Sequence, residues 1–79
     1  MTAQDIRELL LASPFRPFRL QLANGRSLRV PHPDFVLAGA ELAAVASELP
    51  HGAPGKLVLV PYEQIVGVEI LPRRSTRRA

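Results

Sequence analysis

Cysteine and tryptophan are missing from this 79-residue chain, and aromatic residues make up only 5% of it. Without cysteine, no disulfide or thiolate-bound metal can reinforce the fold, and the redox compartment is left open. Long apolar runs are scarce too: nothing approaches the ~20 apolar residues that a membrane-crossing helix requires. Near the amino terminus the longest such run is Leu9 to Ala12, with Asp5 and Glu8 just before it, too short for the apolar region of a secretory signal. The expectation is a soluble, cytoplasmic protein with no membrane partner. Low-complexity repeats and an internal period are also lacking, so a repeat architecture is not expected.

What is present is one small domain. A chain of this size buries only roughly 60% of the surface it exposes when unfolded, which leaves a thin core and little room for a deep catalytic cleft. Self-association is the expected substitute for the missing staples. Net charge is +3, but Arg73, Arg74, Arg77 and Arg78 supply more than all of it. Residues 1–72 hold six Lys or Arg against seven Asp or Glu, so the body is net −1 and the basic character belongs to the tail. That tail, residues 73–79, has no bulky apolar residue to anchor it and is expected to be disordered.

Thr2 and Asp5 stand three residues apart, ahead of Ile6, Leu9 and Leu10 at helical spacing. This is the pattern of a capping box, with Asp in the place of Glu, and predicts a helix over residues 3–12 that Ser13-Pro14 terminates. A helix so short is marginal alone, so its apolar face must dock on something.

The next segment is a hairpin. Phe18, Leu20 and Leu22 alternate with Arg19 and Gln21, and Leu28 and Val30 alternate with Ser27 and Arg29, around Asn24-Gly25. A two-residue turn at Asn24-Gly25 would set Leu20 against Arg29 and mix the two faces. A three-residue loop, Ala23-Asn24-Gly25 with Gly25 at positive φ, sets Leu20 against Leu28 and Phe18 against Val30 instead. The same register places Arg19 directly across from Arg29, an unfavourable juxtaposition of like charges. An acid should neutralise it, and Glu69, which alternates outward from Val68 and Ile70, is the candidate for both.

Pro31 and Pro33 interrupt the strand pattern. Residues 40–49 fit either a helix or a buried strand; strand is favoured because the hairpin and the later apolar runs need partners. Leu57 to Val60 is continuously apolar and predicts a strand covered on both faces. Gln64 to Leu71, with Gly67 as a bulge or bend, predicts the last strand after a turn at Pro61-Tyr62-Glu63. The fold class is therefore α+β, an N-terminal helix packed on a strongly bent antiparallel sheet or small open barrel of about five strands.

The stretch SPFRPFRLQLANGRSLRVPHPDF resembles a group of short bacterial proteins that share a Pro-Phe-Arg-Pro-Phe-Arg segment, an Asn-Gly or Asp-Gly turn and a His-Pro-Asp-Phe element. The resemblance covers Pro14 to Phe35, and more loosely the strands through Leu71, and implies no particular activity. The element order is also similar to that of the Sm-like fold, with LQLANGRSLRV as its first two strands and VPYEQIVGVEI as its fourth to fifth. That resemblance implies an SH3-like barrel and RNA binding. Val66-Gly67 stands where the family carries Arg-Gly or Lys-His, and Asp34, in a different setting, stands for its pocket Asp or Asn.

Candidate chemistry is sparse. His32, Asp34 and His51 match no metal-ligand spacing, and no nucleophile, base and orienting group occur at a recognisable separation. Phe15 and Phe18 flank Pro17 and read either as a stacking platform or, preferably, as core. Arg16, Arg19, Arg26 and Arg29, with Arg73, Arg74, Arg77 and Arg78 of the tail, are the candidate contacts for phosphates or another anion. The reading is a non-enzymatic binding or assembly module without a cofactor, which forms a homo-oligomer or binds a protein partner. The alternative is an Sm-like protein that binds nucleic acid through these arginines.

Overall fold

A computed structural model describes residues 1–72. The helix, α1, runs over Ala3–Leu11. Its capping box forms as its residues dictate: the Asp5 backbone N–H donates to Thr2 Oγ1 (3.2 Å) and the Thr2 backbone N–H donates to Asp5 Oδ2 (3.0 Å). These bonds satisfy donors that the first helical turn leaves without partners. Ile6 is fully buried, with Leu9 and Leu10 packed around it, so the helix is held by that face.

Among the described residues six strands follow: β1 (Phe18–Leu22), β2 (Ser27–Val30), β3 (Val36–Ala38), β4 (Leu42–Glu48), β5 (Pro54–Pro61) and β6 (Ile65–Ile70). The α+β class holds, and residues 42–48 are strand. Alternation predicts about five strands in one bent sheet; the hydrogen bonding instead gives two antiparallel three-stranded sheets, ordered β2-β1-β6 and β3-β4-β5. The division falls at Pro31 and Pro33, whose missing N–H groups interrupt the ladder. There the chain makes a short 3-10 turn at Pro33–Phe35, which buries Phe35 in the core. A second such turn, Tyr62–Gln64, stands between β5 and β6.

The core joins both sheets and the helix: Ile6, Phe18, Leu20, Val30, Val45 and Ala43 are fully buried, with Phe35, Val60 and Ile65 close behind. Phe15 packs against it, its ring centroid 5.9 Å from that of Phe18, which favours the core reading for both aromatics over a base-stacking platform.

One expectation fails instructively. Of the apolar run Leu57 to Val60 only Val60 is buried, while Leu57 and Leu59 are 69% and 65% exposed. Leu37 on β3, in line with Ala44 and Leu59, is 75% exposed. The run is apolar on both faces, but among the described residues no second layer covers its outer one.

Candidate functional site: the arginine hairpin

The hairpin has the register that its sequence demands. Phe18 pairs with Val30, Arg19 with Arg29, Leu20 with Leu28 and Gln21 with Ser27. Its loop is Ala23-Asn24-Gly25, closed by hydrogen bonds from Leu22 N to Arg26 O (2.9 Å) and from Gly25 N to Leu22 O (3.0 Å). Gly25 has φ +87°, and the Asn24 side chain accepts from Arg26 N at 2.9 Å. That Asx bond and a glycine tolerant of left-handed backbone together make the turn.

Arg19 and Arg29 do lie side by side, and each is neutralised from its far side. On β6, Glu69 is the cross-strand partner of Arg19, and its carboxylate accepts from the guanidinium at 2.9 Å. Glu69 does not serve Arg29. The partner of Arg29 is Glu48 at the end of β4, at 2.6 Å. Across β6, β1, β2 and β4 the charges therefore run minus, plus, plus, minus. The second pair also crosses from one sheet to the other.

Arg16 and Arg26 are exposed, and among the described residues neither has an acid within ion-pair distance. They stand beyond opposite ends of β1, a strand about 13 Å long at ~3.3 Å per residue, so the four hairpin arginines do not converge on one point. Arg73, Arg74, Arg77 and Arg78 lie outside the described residues.

Beside the hairpin tip is an open cleft of about 190 Å³, lined by Leu22, Arg26, Leu28, Val58, Val60 and Gln64 among others. Its walls are mostly apolar and Arg26 is its one charged group. A second hollow is bordered by Pro17, Pro31, His32 and the Arg29–Glu48 pair. His32, Asp34 and His51 are all exposed, and among the described residues no group of three His, Cys, Asp or Glu is placed to hold a metal ion. None of the described helices is long and apolar enough to cross a membrane.

Sequence reasoning missed two contacts. Glu48 could be matched to Arg29 only once the path of β4 was known. Tyr62, buried at the β5–β6 turn, donates its hydroxyl proton to the backbone carbonyl of Gly39 at 2.6 Å and so ties that turn to the β3–β4 connection. Searches against models of protein families, curated proteins and solved structures find no match to this chain.

Proposed function

We propose that the chain is a small, non-enzymatic binding and assembly module that associates with copies of itself, on an Sm-like or SH3-like framework. The observation that carries this reading is the outer face of the second sheet. Leu37, Leu57 and Leu59 expose most of their surface there, although a thin core leaves a small domain few apolar residues to spare.

The framework reading is supported by the path of the chain. β2 pairs with β1, β3 pairs with β4, and only the turn at Pro33–Phe35 separates β2 from β3. Taken as one kinked strand, they join the two sheets into a five-membered bent layer with a 3-10 turn before its last strand. Sedimentation or light scattering across a concentration series tests the function: a mass that rises above the monomer supports it, and a monomer throughout rejects it.

A second reading, nucleic-acid binding, draws on Arg16 and Arg26, whose charges meet no acid among the described residues. Against it, Arg19 and Arg29 are already engaged. Titrating an RNA oligonucleotide at two salt concentrations, with and without residues 73–79, decides the matter. Salt-sensitive binding weakened by Arg26→Ala supports this reading; binding lost only with the tail restricts it to nonspecific attraction.

A further inference from the structure

The proposed self-association leaves open which surface meets which, and the backbone of β5 narrows the choice. The described residues present four sheet edges. β2 packs against β4, β3 is only three residues long, and β6 carries a bulge at Val66, where pairing with β1 skips from Gly67 to Ile65. β5 is the longest strand, at eight residues; its pairing with β4 is bulged at Gly55-Lys56, but from Leu57 to Pro61 its edge carries neither a bulge nor a charge.

The free backbone groups on that edge can be identified. Gly39 N donates to Leu42 O at 2.9 Å, so Leu42 directs its backbone toward β3. In an antiparallel sheet successive residues direct theirs to opposite sides, which turns Ala43 and Val45 toward β5, where they pair with Val60 and Val58. Leu57 and Leu59 therefore point their N–H and C=O groups away from β4, into the open edge. They are also the most exposed of the large apolar residues of the strand.

We propose, building on the self-association reading, that β5 pairs with β5 of a second copy, antiparallel about a two-fold axis at Val58. In this register Leu57 faces Leu59 of the second copy, and the two exchange both of their backbone hydrogen bonds. Regular pairing stops beyond these residues, at the Gly55-Lys56 bulge on one side and at Pro61, which has no N–H, on the other. The only charge on the strand, Lys56, lies in that bulge at the margin of the pairing and away from its own copy, whereas parallel in-register pairing would bring the two Lys56 side chains together. The apolar row Leu37, Ala44, Leu59 continues across the junction into Leu57 of the second copy. Pairing one strand covers less than the ~800 Å² per partner of a standard interface, so the dimer belongs to the weak, reversible class.

The full chain is followed by sedimentation from about 10 µM to about 500 µM, the range suited to a weak interface. The native chain shifts toward twice the monomer mass. Leu59→Pro stays monomeric with an unchanged far-ultraviolet spectrum, because the lost N–H faces the edge and not β4. Should that variant not fold, Val58→Cys decides. In a chain without other cysteines it forms a disulfide-linked dimer on mild oxidation, faster than Leu37→Cys, which lies on the far strand of the sheet. A native dimer in which Val58→Cys links no faster than Leu37→Cys overturns β5 pairing and leaves self-association standing. Assemblies larger than two copies overturn the two-fold arrangement alone, and a monomer at every concentration overturns both proposals.

Discussion

Gly25 is the residue on which the hairpin register depends. At φ +87° an alanine is strained even though open space surrounds the added Cβ, so the penalty is one of backbone conformation and not of collision. Gly25→Ala is expected to lower stability by about 1–2 kcal/mol, measurable by urea denaturation. Asp5 acts at the other end of the chain. Hydrogen bonds from Thr2, first its backbone N–H and then its hydroxyl, hold the Asp5 carboxyl below the ordinary value of 3.8. A group depressed in the folded state stabilises fully above its unfolded pKa and loses that contribution as pH falls through its folded pKa. The Asp5 contribution is therefore present at neutral pH and disappears below about pH 4. Asp5→Asn should flatten the acid limb of the stability profile, and an unchanged limb would discount the cap as a source of acid sensitivity.

Between elements, the charge row Glu69–Arg19–Arg29–Glu48 balances a repulsion that the hairpin register imposes. Both ion pairs are partly exposed, so each contributes on the order of 0.2–1 kcal/mol. Glu48→Gln leaves Arg29 beside Arg19 with one counter-charge fewer, and its loss should shrink when Arg29→Gln is made with it. A double-mutant cycle with no coupling would show the pair to be incidental. The Tyr62–Gly39 bond is the buried counterpart. Tyr62→Phe strands that carbonyl and is expected to remove about 1–2 kcal/mol, read from the shift in denaturation midpoint at constant slope.

For the whole molecule, the size of the core governs behaviour. Leu20 is fully buried on β1, the central strand of its sheet, and packs in the one core shared by both sheets and the helix. Leu20→Ala should destabilise by about 2–5 kcal/mol, enough to consume much of the stability of so small a domain. Thermal scans by tryptophan-independent probes, such as far-ultraviolet dichroism and Tyr62 absorbance, should lose both signals together. Separate transitions would mean that the two sheets fold as independent units.

The parts of this fold that were legible in its sequence are those decided within a few residues. A capping box is closed by its own side chains, a three-residue loop by its glycine and asparagine, and a hairpin register by alternation of period two, because a slip of one residue would turn Leu20 and Leu28 outward. Pro31 and Pro33 announced a break for the same local reason. The long-range decisions came only with tertiary structure. Whether Leu57 and Leu59 are covered depends on how many layers the chain can supply, and among the described residues the nine-residue helix leaves their face open. Arg29 takes Glu48 instead of Glu69 because the second sheet brings the end of β4 to β2, and nothing local records a contact between residues nineteen apart in sequence.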